Sequence, residues 1–162
     1  MISTITLCEV CGNKNLTEVL DLGNHPLCDD LIPISSNIKC IEYPIKIVFC
    51  ETCYTAHQLF QVPKKTLFSD NYHYRARMTG SVLSGMSDLV DSCEKNIGNL
   101  NEKTVLDIGC NDGSLLNFFK KKGCKTIGIE PTKAALDSEH LTINKFFDKN
   151  SANEILEKIG YP

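Results

Sequence analysis

Two pairs of cysteines carry the spacing of metal ligands. Cys8-x-x-Cys11 and Cys50-x-x-Cys53 are matched C-x2-C knuckles. Each tight turn aims two sulfurs to one side, and two such turns complete a tetrahedral four-sulfur site, the donor set that suits zinc. Gly12 follows the first knuckle, where a tight turn calls for a positive φ. A site filled by four protein sulfurs leaves no position for water or substrate, so its expected role is structural. A redox pair, or cysteines that are simply buried, are the competing readings, and two matched knuckles weigh against both. His57 follows Cys53 closely enough to compete as a ligand, but the sulfur set is already complete.

The second chemical group is Asp107-Ile108-Gly109-Cys110-Asn111-Asp112-Gly113. An apolar run precedes it and a helical pattern follows. Gly109 and Gly113 allow close approach of the backbone to a ligand, and the helix N-terminus offers free N–H groups. Glu130 closes the next apolar run about 20 residues beyond Gly109, where a carboxylate can accept from both hydroxyls of a ribose. A dinucleotide prefers G-x-G-x-x-G with its pyrophosphate over the helix N-terminus. This chain has G-x-x-x-G with Asp107 just ahead of it. An anion there repels pyrophosphate and suits a cation. S-adenosylmethionine carries a sulfonium and an ammonium, so the electrostatics favour it over a dinucleotide such as NAD. A purely structural turn is the third reading. The candidate cofactor-binding residues are Asp107, Gly109, Asn111, Asp112, Gly113 and Glu130.

The surrounding pattern must hold these groups in place. Ile45–Phe49 reads as a strand running into Cys50, and Asp21–Pro26 as a turn or loop rich in Gly, Asn and Pro. Apolar residues at Val82, Met86, Leu89, Val90, Cys93 and Ile97 mark one face of a helix from Arg77 to about Ile97. Gly80 and Gly85 weaken its start, and Gly98-Asn99 can close it. Thr104–Ile108 predicts a buried strand, 114–122 a helix, and Lys125–Ile129 a second strand. A helix near 132–138, a strand near 142–147 and a helix near 151–159 complete a β-α-β-α-β-α run. That alternation implies a parallel sheet with right-handed crossovers, hence an α/β, Rossmann-like fold. Lys120-Lys121-Lys122 reads as a solvated helix end suited to the C-terminal dipole.

Composition bounds the function. The chain has 162 residues, 42% of them hydrophobic and 23% charged. Both values lie within the ordinary globular range. A net charge of −3 argues against a nucleic-acid domain built on a basic face, and a DNA-binding zinc ribbon is a distant reading. No apolar run approaches the ~20 residues of a membrane span, and no secretory signal is visible at the start. Nine cysteines, an odd number, fit a reducing compartment, so a cytoplasmic location is expected. Cys40, Cys93 and Cys124 are expected to be unliganded thiols acting as small apolar residues. His25 and Cys28, in the Asn24–Asp29 loop, are expected at the surface or in packing.

With both groups in hand, the sequence resembles the sugar-nucleotide C-methyltransferases, in which a four-cysteine zinc module precedes a class I methyltransferase domain. The first matching stretches are Cys8-Glu9-Val10-Cys11, Leu22-Gly23-Asn24-His25-Pro26-Leu27, Tyr43-Pro44-Ile45, Phe49-Cys50-Glu51-Thr52-Cys53, Gln58-Leu59 and Leu67–Tyr74. The later ones are Val105–Leu116, Gly128-Ile129-Glu130-Pro131 and Phe146-Phe147. They span nearly the whole chain in order. The resemblance implies a zinc module over 1–70, a connecting helix over 71–102, and the first part of a Rossmann-like methyltransferase domain over 103–162. It implies methylation of a carbon on a nucleotide-linked keto-sugar. A base removes the proton beside the ketone, and the enolate attacks the sulfonium methyl. The Tyr-x-Tyr segment lies near the sugar-nucleotide site in this family, which nominates Tyr72 and Tyr74.

Two departures stand out. Two serines commonly follow the tyrosines, but here Arg75-Ala76-Arg77 follows. Those arginines would either hold a phosphate or face water. Family members are also much longer, with four more strands. The resemblance therefore puts the catalytic base and the adenine-side contacts beyond Glu130 in sequence this chain lacks. Three strands would leave the first as a bare edge, which invites pairing with another chain. The chain is expected to be inactive alone. It would then await a complementing C-terminal chain, or act as a non-catalytic zinc-binding assembly piece with a vestigial cofactor half.

Overall fold

The computed structural model describes residues 1–28, 30–69 and 72–160. The chain forms two compact units, Met1–Leu67 and Phe68–Pro162. Among the described residues, no helix is long and apolar enough to cross a membrane.

The first unit is built from short antiparallel pairings. Strand β1 (Ser3–Thr4) pairs with β5 (Phe60–Gln61), and β2 (Thr17–Pro26), β3 (Glu42–Cys50) and β4 (Thr55–Gln58) form a sheet in that order. A single helical turn, α1 (Lys64–Leu67), closes the unit. Gln58 extends the reach of β4. Its side-chain carbonyl accepts from the Lys46 amide at 2.9 Å, and its amide donates to the Pro44 carbonyl at 2.9 Å. The expected loop over Asp21–Pro26 is instead strand. Cross-strand pairing with β3 overrides the turn preference. The register slips between Glu18 and Leu20 and again between Asp21 and Gly23. Gly23 sits at φ 75°, and its amide donates to Asp21 Oδ1 at 2.9 Å. Strand β3 also begins at Glu42 rather than Ile45. The core is thin: Cys8, Val48 and Cys50 are the buried apolar residues of this unit among those described.

The second unit carries helices on a parallel sheet. A 3-10 turn over Ala76–Met78 precedes α2 (Gly80–Ile97). The helix expected from Arg77 is therefore interrupted, because Thr79 is extended at φ −120°. Then come β6 (Thr104–Ile108), α3 (Ser114–Lys121), β7 (Lys125–Ile129), a 3-10 turn over Lys133–Asp137, β8 (Leu141–Ile143) and α4 (Lys149–Ile159). The sheet order is β6-β7-β8, all parallel. Strand β8 is shorter than the 142–147 expected. The chain turns away at Asn144, whose side-chain amide donates to the carbonyls of Glu130 and Thr132 at 2.8 and 2.7 Å. The helix expected near 132–138 is a 3-10 turn, begun by Thr132 Oγ1 accepting from the Ala134 amide. Val90, Leu100, Phe119 and Cys124 form one core cluster, and Ile127, Ile129, Ile143 and Ile155 another. Strand β6 pairs with β7 alone among the described strands, and Leu106 and Ile108 on it are exposed.

Candidate functional site

The four knuckle sulfurs converge. The Sγ atoms of Cys8, Cys11, Cys50 and Cys53 all lie within 4.8 Å of one another. Cys8 and Cys53 are 3.5 Å apart, and Cys11 and Cys50 3.6 Å. A tetrahedral zinc with Zn–S bonds of about 2.3 Å has sulfur–sulfur edges of about 3.8 Å. The spacing and the all-sulfur donor set therefore fit zinc. The knuckle geometry follows from local bonds: the Cys8 amide donates to the Asn13 carbonyl, and the Gly12 amide to the Cys8 carbonyl. Gly12 has φ 74°, as the turn demands. The amides of Cys11 and Val10 point at the Cys8 sulfur and, against burial, hold its pKa down at about 5. The amides of Cys53 and Thr52 likewise lower Cys50. The Asn13 amide pulls Cys11 the same way, but burial and the neighbouring sulfurs prevail and raise it to about 12.

His57 stands behind this cluster. It is buried, with Nε2 at 3.2 Å from the Cys8 sulfur and Nδ1 at 4.0 Å from the Glu9 carboxylate. That position supports a sulfur already in the set rather than adding a ligand. His25 bonds the Leu22 carbonyl through Nε2, and Cys28 is exposed. Asp29, which ends their loop, lies outside the described residues.

In the second unit the glycine turn wraps the end of β7. The amides of Gly109 and Cys110 both donate to the Ile129 carbonyl, at 2.7 and 3.2 Å. Gly109 has φ 82° and open space where a side chain would stand. Gly113 also has a positive φ, but its surroundings are protein. A Cβ there would come within 2.6 Å of Ser138 Oγ and 2.9 Å of the His140 ring, so this glycine serves close packing.

Glu130 is buried at the tip of β7. Its two carboxylate oxygens accept from the amides of Asn111 and Thr132 at 3.1 and 2.9 Å. Asp107, near the tip of β6, has its carboxyl pKa raised by burial and then by Glu130. Neither carboxylate has an ion-pair partner among the described residues. Two neighbouring acids without a cation are costly, and a cationic or hydroxyl-bearing ligand would relieve that cost. The Cys110 thiol is pushed up to about 12, by burial first and then by Asp107 and Glu130. It is therefore an inert thiol.

Asn111 and Asp112 point elsewhere. Asp112 is buried, and its Oδ1 accepts from the Ser114 amide at 3.2 Å and the Ser114 hydroxyl at 2.6 Å. The N-terminus of α3 thus already holds a carboxylate, which opposes a pyrophosphate there. The other oxygen, Oδ2, accepts from the Arg77 amide at 3.1 Å. Asn111, at φ 52°, grips the same segment: Oδ1 accepts from the Ala76 amide at 3.0 Å, and Nδ2 donates to the Tyr74 carbonyl at 3.1 Å.

Tyr72 packs edge-on against Phe68, with ring centroids 5.8 Å apart, and Tyr74 is exposed. Asp70 and Asn71, in the same stretch, lie outside the described residues. Arg75 is committed within the protein. Its Nε donates to Asp137 Oδ2 at 2.6 Å, and one terminal nitrogen donates to the carbonyls of Tyr72 and Tyr74. Arg77 is half exposed, 3.5 Å from Asp137.

Some site features were missed by sequence reasoning. A cleft of about 470 Å³ opens just past Glu130, lined by Pro131, Asn144, Phe146, Asp148 and Ser151 among others. Only the Phe146-Phe147 pair gave any signal for it. Asp137 showed none, because its partner Arg75 is remote in sequence.

Comparison with known proteins agrees with this geometry. A family model described as "Putative zinc binding domain" matches residues 8–68, and one described as "Methyltransferase domain" matches residues 74–161. The C-methyltransferase NovU of Streptomyces niveus is 28% identical over 165 aligned residues, covering 99% of this chain and 39% of NovU. The chain thus spans about two-fifths of the length of that curated relative. Its four-cysteine unit and its parallel-sheet unit, in that order, mark this chain as a member of the methyltransferase family.

Proposed function

We propose that this chain is the zinc-bearing, cofactor-binding part of an S-adenosylmethionine-dependent C-methyltransferase that acts on a nucleotide-linked keto-sugar. The observation that carries the cofactor reading is the Asp107–Glu130 pair, two neighbouring carboxylates at the ends of β6 and β7 with no ion-pair partner among the described residues. When bound, S-adenosylmethionine supplies the electrophilic methyl group. Glu130, held by the amides of Asn111 and Thr132, keeps lone pairs free to accept from ribose hydroxyls. Asp107 provides negative charge for the cationic end. Gly109 leaves room for the ligand beside the turn. The cleft past Glu130 would receive one side of the adenine, with Phe146 as an apolar wall, in addition to the contacts the resemblance expects from sequence beyond this chain. Tyr72 and Tyr74 are proposed to face the sugar nucleotide, with Tyr74 exposed to bind. Zinc held by Cys8, Cys11, Cys50 and Cys53 would be structural.

The sugar substrate rests on the family resemblance alone, and the C-methyltransferase relative supports transfer to carbon. No base for deprotonation is assigned among these residues. Among the described strands β6 pairs on one edge only, and the unpaired backbone of its other edge supports a need for further strands, while Leu106 and Ile108 expose one face of the strand. We therefore propose that the chain is inactive alone and pairs along β6 with a complementing chain. The deciding experiment is calorimetric titration with S-adenosylhomocysteine, with NAD as control. Selective heat with the homocysteine compound, lost in Glu130→Ala, supports the reading. A folded, zinc-loaded sample that binds neither would sink it and leave a non-catalytic assembly piece.

A further inference from the structure

Asn111 joins two parts of the second unit that are remote in sequence. Its backbone amide donates to Glu130 Oε2 at 3.1 Å, while its side chain spans the Tyr74 carbonyl and the Ala76 amide. The residue holds φ 52°, a strained conformation that a non-glycine residue adopts at a cost. That strain is sustained by bonds in both directions. Around it, the Arg77 amide is tied to Asp112, and Arg75 bridges Asp137 to the carbonyls of Tyr72 and Tyr74. The Asn111 and Asp112 side chains and the Arg75 terminal nitrogen thus hold main chain of the 72–77 segment, while Tyr74 stays exposed.

We propose that Asn111 is a positioning residue that makes the order of the Tyr72–Arg77 segment depend on the carboxylate of Glu130. This rests on the reading of Glu130 as the ribose acceptor and of the tyrosines as substrate-facing. A ligand that holds Glu130 stiffens the turn at Asn111, and the carboxamide passes that order to the Tyr74 carbonyl and the Ala76 amide. Cofactor binding then prepares the substrate side, a coupling between two sites through one contiguous element. Asn111 itself touches neither ligand in this scheme.

Hydrogen exchange of the full zinc-loaded chain, read at individual amides, tests it. Asn111→Gly suits the positive φ and removes the carboxamide, at the expense of a freer backbone in the turn. Without ligand, exchange at Ala76, whose amide loses its Asn111 acceptor, should rise up to about tenfold, the worth of one hydrogen bond, and Arg77 beside it should rise as the segment loosens. Glu130→Gln should raise it too, while Ile127 and Ile129 stay protected. With S-adenosylhomocysteine at a concentration that saturates the turn in each protein, the wild type should gain protection at 76–77, and Asn111→Gly should gain it only at the turn. Exchange at 76–77 in Glu130→Gln equal to wild type overturns the proposal, whatever Asn111→Gly does, because the Asn111 variant also removes the direct acceptor of the Ala76 amide. So does ligand protection that reaches 76–77 without the carboxamide. If the compound slows exchange nowhere in the wild type, the cofactor reading fails by itself, and the ligand-free comparison still decides the role of Asn111.

Discussion

At the scale of single residues, several charged side chains of the second unit bond the protein's own backbone. Arg75 binds two carbonyls and Asp137, and Asp112 binds two amides and a hydroxyl. An Arg-x-Arg pair beside two tyrosines looked like a phosphate clamp or solvated surface, yet Arg75 is neither. The Arg75 guanidinium holds the Asp137 carboxyl below its usual 3.8. A lowered acid stabilises the fold above its unfolded pKa, and that contribution is lost as pH falls through the folded value. Asp137→Asn should therefore lower Tm at pH 7, with the difference from wild type shrinking below pH 3.8. Thermal melts from neutral pH down to strongly acid pH would check this, and a constant difference would contradict it. For the zinc cluster, Cys50→Ser should drop bound zinc well below one atom per chain and reduce solubility with it, as metal analysis would read.

Among the elements, α4 shows how much local sequence can do. Asp148 Oδ1 accepts from the Ser151 amide at 2.9 Å, and Ser151 Oγ accepts from the Asp148 amide at 2.8 Å. Together they make a reciprocal capping box. Asp148→Ala should cost about 1 kcal/mol of stability, measurable by urea unfolding. Because Asp148 also lines the cleft past Glu130, calorimetry should show weaker binding of S-adenosylhomocysteine as well. Helix α3 depends on burial instead. Leu116 is fully buried, and Leu116→Ala should cost about 2–5 kcal/mol. The start of α2 failed as predicted from periodicity alone, since Ala76 and Arg77 are drawn to the Asn111 and Asp112 side chains. That pull breaks the helix at Thr79, and in the sequence only the weakening glycines at 80 and 85 hint at it.

The whole molecule divides its stability unevenly between its two units. In the first, Cys8 and Cys50 are two of the three buried apolar residues described, and both belong to the sulfur cluster. A unit with so little core would rely on a metal held by that cluster. The second has two core clusters of its own. A zinc chelator should therefore unfold Met1–Leu67 and leave Phe68–Pro162 folded. Exchange mass spectrometry would then show rapid exchange in β3 and β4 with β7 unchanged. Retained protection in β3 after complete zinc removal would contradict this.

What the sequence settled by itself was chemistry carried by local spacing. A C-x2-C knuckle places two sulfurs within one turn, so two knuckles specify a metal site before any fold is known. The β-α-β alternation and the glycine turn likewise announce a parallel sheet, because helix and strand periods differ. Tertiary structure decided where each polar side chain in that turn points. Asn111 and Asp112, nominated from the turn as ligand contacts, also hold the 74–77 segment across a long stretch of intervening chain. It also made Asp21–Pro26 a strand, because β3 supplied backbone partners worth more than the local turn preference. Hydrogen bonds between residues remote in sequence leave no periodic trace in either partner, and only the folded chain reveals them.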